Sequence, residues 1–214
     1  MKRDIFLTAT AAFALLTPLA AMAQSETTDT REIVVTGRSL KDTADALAAC
    51  LARGCPPDQD VAATLAHAEN LFIGGDYDNA RTTLLRSVSR NRKHGAAYPV
   101  PVSDLFRANS RVAQHMGEGK NFQLSVLDMR DTLKKGLGED DPRTLVAQIE
   151  VGDSRAKLGH PDEATRIYKD VEKRAIALNQ PRVAMFARLR GAILAHTTAT
   201  TINSPQEIAE ARAA

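Results

Sequence analysis

The 214-residue chain is 43% hydrophobic and 25% charged, the balance of a globular domain or a small repeat array, and this excludes a disordered tail. Nine aromatic residues and no Trp, against heavy use of Ala, Leu, Val and Arg, exclude an all-β sandwich or barrel and favour helices packed through small residues. The formal charge is +2, and +1 for the segment after residue 23 with its 26 basic and 25 acidic residues, so the basic excess of a nucleic-acid binder is missing.

Residues 1–23 have the layout of a secretory signal peptide. Lys2 and Arg3 form a positive start, Ile5 to Leu16 an apolar run, and Pro18 precedes the small-residue end Ala21-Met22-Ala23. The run is shorter than the ~20 residues a spanning helix needs and carries Thr8, Thr10 and Thr17, which favours cleavage over an anchor. The mature protein is therefore expected to start at Gln24, to carry no transmembrane segment, and to be exported to the periplasm.

Residues 24–40 are polar, Thr-rich and without helical period, and are expected to be a flexible leader. Inside it lies one β-prone run, Glu32, Ile33, Val34, Val35, Thr36 and Gly37. This run resembles the Ton box of TonB-dependent outer-membrane receptors, a segment that follows the signal peptide and pairs as a strand with the energy transducer TonB. The resemblance implies strand addition to a sheet edge of TonB. The plug and barrel of those receptors have no counterpart in the remaining sequence.

Residues 41–58 hold an N-terminal helix, Lys41 to Arg53, and the pair Cys50 and Cys55 with four residues between them. Thiols in an oxidising compartment tend to pair, Gly54 lets the chain reverse, and Pro56-Pro57 stiffens it, so a disulfide staple across a helix end is expected. A redox motif would need Cys-x-x-Cys, and a zinc site two more ligands nearby. From residue 59 to 200, helical periods recur at 59–74, 77–92, 103–118, 121–136, 142–158, 162–178 and 181–197, with a partial final helix in 201–214 starting near Ser204.

The turns align: Gly75-Asp76-Tyr77-Asp78-Asn79-Ala80, Lys120-Asn121-Phe122-Gln123-Leu124-Ser125 and Gly159-His160-Pro161-Asp162-Glu163-Ala164. Before them lie Leu71, Met116 and Arg155, and earlier still the small residues Ala68, Ala113 and Gly152; after them come Leu84, Met129 and Tyr168. Small residues where two helices cross and large ones between hairpins resemble the tetratricopeptide (TPR) family, most clearly in ENLFIGGDYDNARTTLL and VGDSRAKLGHPDEATRIYKDV. The turns are 45 and 39 residues apart, longer than the family's ~34, and Thr64, Asn109 and Gln148 replace its first-helix aromatic. The resemblance implies an all-α short solenoid of about three hairpins and an incomplete fourth, with Gly191 at the register of Gly152. It also resembles the repeat-bearing N-terminal part of TonB-type transducers.

Catalytic spacings are missing. The five His residues are scattered without a His-Glu-x-x-His pair, Gly117-Glu118-Gly119-Lys120 lacks the rest of a phosphate loop, and no Gly-x-Ser-x-Gly element occurs. No catalytic, cofactor or metal residue is assigned, and the chain is expected not to be an enzyme. The cluster Arg86, Arg90, Arg92, Lys93 and His94 suits a solvated helix end. On the TPR frame the groove-facing positions are Glu69, Arg107, Ser110, Gln114, Asp153 and Arg188, with simple solvation as the plain alternative. The function expected is a periplasmic protein-interaction module, linked to TonB-dependent transport, with a protein or peptide partner. An exported enzyme with an unfamiliar site and a structural subunit of an envelope complex are the alternatives.

Overall fold

The computed structural model describes residues 39–202, with side chains as far as 198. The signal segment, the run Glu32 to Gly37 and the helix expected from Ser204 lie outside the described residues. Eight α-helices fill the described span: α1 (Leu40–Arg53), α2 (Pro57–Ile73), α3 (Tyr77–Asn91), α4 (Pro99–His115), α5 (Gly119–Leu137), α6 (Pro142–Lys157), α7 (Pro161–Ala177) and α8 (Pro181–Ile202). No strand occurs among the described residues.

Three helix pairs, α2/α3, α4/α5 and α6/α7, pack as hairpins; α1 packs on α2, and α8 on α7 and α6. The hairpin turns share one stop signal. At the end of α2, Gly75 takes φ 81°, its N–H donates to the Phe72 carbonyl, and the Asp76 N–H donates to the Leu71 carbonyl. Two orphan carbonyls are thereby satisfied by a left-handed residue that glycine adopts without a Cβ clash. The same bond pair recurs at Gly117 and Gly159, and at Asn179 between α7 and α8.

Proline sets several helix starts, since its missing N–H falls among donors that a first turn leaves unpaired anyway. This explains why α4 begins at Pro99 rather than at the expected 103: Pro99 and Pro101 both lie in its first turn. The expected end of α8 at 197 is also exceeded. Thr197 and Thr198 donate their hydroxyls to the Leu194 carbonyl, so within this Thr-rich stretch they are paired inside the helix. The 45-residue step contains the 3-10 turn Arg92–His94 and the link to Pro99, and the 39-residue step contains the 19-residue α5.

The repeated small and large residues build the core. Ala80, Ala164, Ala68 and Ala113 are buried, as are Leu84, Met129 and Tyr168 that fill between helices. Thr64, Asn109 and Gln148, which stand in for aromatics, reach polar partners instead. Thr64 donates to Asp60 at 3.1 Å, Asn109 donates to Ser125 Oγ at 2.7 Å, and Gln148 accepts from Arg130 Nη1 at 2.8 Å. A buried polar side chain is tolerated only when paired in this way.

Candidate interaction wall

Polar cross-links join three successive first helices, α4, α6 and α8. Arg107 on α4 reaches Glu150 on α6 at 3.2 Å, Lys157 on α6 donates to Gln114 on α4 at 2.9 Å, and Arg190 on α8 donates to Asp153 on α6 at 2.8 Å. Asp153 also accepts from the Tyr168 hydroxyl at 2.6 Å. Burial first, and then the Asp153 carboxylate, push the Tyr168 phenol well above its ordinary range, so it remains a donor.

Between α2 and α4 the surface opens into a groove of about 430 Å³. Leu65, Phe72, Ile73, Ala108 and Val112 give it an apolar floor, and Glu69, Asp104, Arg107 and Arg111 its charged rim. Ile73, at the edge of the floor, is 49% exposed. Where α2 and α4 end and α3 starts, the Tyr77 and His115 rings lie 4.1 Å apart at a 47° tilt, and Phe72 meets both edge-on.

The six positions expected on the wall divide. Glu69 and Arg107 share the α2–α4 groove, and Gln114 and Asp153 belong to the cross-helix series. Ser110 is 5% exposed and its hydroxyl donates to the Arg107 carbonyl, so it does not present itself to a ligand. Arg188 pairs with Glu172 on α7 at 2.7 Å instead of joining the series. Both occupy the repeat register of Ile149, which is fully buried, but only Ser110 is buried there; the Arg188 side chain is 69% exposed. The wall residue on α8 is Arg190. Its position one before Gly191 is the register of Val151, buried in its own unit, and for that reason the pattern hid it.

In the basic cluster, Arg90 and Arg92 are paired across helices rather than simply solvated. Arg90 makes a two-pronged pair with Asp60 of α2, at 2.8 and 2.7 Å, and Arg92 pairs with Asp128 of α5 while its guanidinium lies 5.4 Å from the Phe106 ring centre. Asn91 also donates to Asp60, at 2.8 Å. Burial acts to raise the Asp60 carboxyl, but the hydrogen bonds from Arg90, Asn91 and Thr64 and the charge of Arg90 outweigh it and hold the group below its ordinary range.

Cys50 and Cys55 lie with their Cα atoms 5.3 Å apart, a spacing that a disulfide spans. The Cys55 N–H donates to the Cys50 carbonyl at 3.1 Å around Gly54, so one turn brings both residues together. His67, set between α1 and α2 with Nδ1 3.3 Å from Thr43 Oγ1, is held below the usual histidine range by burial. Among the described residues no cluster of His, Cys, Asp and Glu has the makings of a metal site, and no helix is long and apolar enough to cross a membrane.

No family model matches the chain, and no curated protein matches it. Solved structures do. Two crystal structures of a Podosopora anserina kinesin-light-chain-like protein with nearly identical TPR-like repeats, one a point variant, superpose with TM-scores of 0.62 and 0.61. Identity is 13% and 14%, and each match covers 81% of this chain and 84% of the other. The fold is TPR-like. The TPR-like hairpins are α2/α3, α4/α5 and α6/α7, with α8 in the position of a fourth first helix and α1 added in front.

Proposed function

We propose that this chain is an exported, periplasmic interaction module whose TPR-like first-helix wall holds a partner protein or peptide. The observation that carries the reading is the α2–α4 groove: an apolar floor open to solvent and rimmed by charge, whose Arg107 is also tied to Glu150 of α6. The reading further assigns the leader run Glu32 to Gly37 to pairing with TonB. In an oxidising compartment Cys50 and Cys55 are joined, and the staple secures the α1–α2 turn.

Titrating the C-terminal domain of TonB into the mature chain, with and without residues 24–38, tests the leader assignment. Saturable binding that disappears with the leader is expected. Equal binding after the deletion, or none before it, overturns the link to TonB.

One observation favours the alternative of a structural subunit. On α8, Met185, Phe186, Leu189 and Ile193 are 67%, 36%, 54% and 44% exposed, a set of large apolar residues that a lone helix face seldom leaves in water.

A further inference from the structure

We propose that α8 pairs antiparallel with the α8 of a second copy of this chain, about a twofold axis beside Leu189. The contact is separate from the α2–α4 groove.

Two faces run along α8. Val183, Ala184 and Ala187 pack inward, in one cluster with Leu145 of α6 and Val171 of α7. Met185, Phe186, Leu189 and Ile193 lie on the other face and are exposed. α6 is covered on both sides, by α5 and by α7 with α8, whereas α8 packs on α6 and α7 and its outer face is open among the described residues. A helix face this apolar is ordinarily covered. The open seam from Met185 to Ile193 is about 12 Å long at a rise of about 1.5 Å per residue.

The order of residues along this seam fits a second copy, because a twofold pairing sets residue i against j and j against i. With Leu189 at the axis, Met185 and Ile193 each stand four residues from it and face one another across the pair. Phe186 and Ala192 each stand three residues away, so a large side chain meets a small one. Charge permits the same register. Arg188 and Arg190 flank the axis, and each is compensated inside its own copy, Arg188 by Glu172 at 2.7 Å and Arg190 by Asp153 at 2.8 Å. The remaining arginine, Arg182, stands a turn before Met185, at the edge of the seam. At about 200 Å² for a free side chain of this size, the four exposed residues leave about 400 Å² open on each copy, which with its rim suits a weak, reversible dimer below about 1,200 Å² in all.

Sedimentation velocity of the mature chain tests the proposal. The apparent mass is expected to rise from one chain toward two between about 1 μM and about 1 mM, the range of a small interface. Leu189→Glu brings two carboxylates together at the axis and should hold the mass at one chain throughout, with circular dichroism unchanged. Ile73→Glu, in the groove, should leave dimerisation as it is, so the two surfaces are read separately. Cysteine crosslinking under mild oxidation reads the register: mixed Met185→Cys and Ile193→Cys copies should join to each other, and Met185→Cys copies alone should not join. A mass of one chain at every concentration, whether another segment or a foreign protein covers the seam, overturns the proposal. So does a dimer that survives Leu189→Glu, or one in which Met185→Cys copies join among themselves.

Discussion

Gly152→Ala is expected to lower the stability of the folded chain by about 2 kcal/mol, a drop in melting temperature of roughly 6 °C for a domain of this size. A Cβ at this position would lie 2.5 Å from Tyr168 Cε1, 3.1 Å from Cδ1 and 3.2 Å from Cζ. The ring has nowhere to go: Tyr168 is 3% exposed and its hydroxyl is bound to Asp153. Gly191→Ala supplies the control. There the nearest atoms, Cβ and Cδ2 of Tyr168, stand at 3.9 Å, ordinary contact, so the better helix propensity of Ala should stabilise by up to about 1 kcal/mol. Urea unfolding of the two variants should give opposite signs. Shrinking Tyr168 to Leu in the Gly152→Ala background should recover part of the loss, because the two changes act on one contact.

Asp60→Ala is expected to cost about 3 kcal/mol at neutral pH, at the low end for breaking a buried ion pair because the Arg90 side chain is 38% exposed. The carboxylate holds Arg90, Asn91 and Thr64 together across the first hairpin, and its removal leaves their donors facing one another. The pH dependence follows from the sign of the shift. The folded carboxyl lies below its unfolded value of about 3.9, so its contribution is complete above that pH and is lost as pH falls through the lower, folded value. Wild type and Asp60→Ala should therefore differ by more at pH 7 than at pH 3. A gap that is the same at both, measured by chemical denaturation, would mean that folding does not lower the Asp60 pKa.

The hairpin order was legible in the sequence because steric constraints leave a mark in residue size. Ala68, Ala113 and Gly152 recur where helices cross, and Leu84, Met129 and Tyr168 where space must be filled. The Asp60–Arg90 pair left no such mark. Its members are 30 residues apart, and each taken alone suits a helix end: an acid in a first turn, a base in a last turn. Among the candidate groove residues, counting along the repeat placed Glu69 and Arg107 at the groove but put Ser110 where it is buried, and Arg188 where it pairs with Glu172. Arg190, two residues and about 200° around the helix from Arg188, is the α8 residue that reaches Asp153 of α6, and only the position of α6 beside α8 shows it. Arg155, in a slot where the repeat has an apolar residue, is accommodated by Glu163 at 3.5 Å. That compensation lies eight positions away across a turn and is invisible to a pattern of sizes.

Selection of a random peptide library on the immobilised mature chain, followed by affinity measurement on wild type and Ile73→Glu, tests the central claim that the α2–α4 groove is an interaction site. The account predicts enriched peptides rich in large apolar residues whose binding weakens about tenfold or more on Ile73→Glu, with the fold intact by circular dichroism. Failure to enrich any peptide, or affinities that Ile73→Glu leaves unchanged, would contradict it.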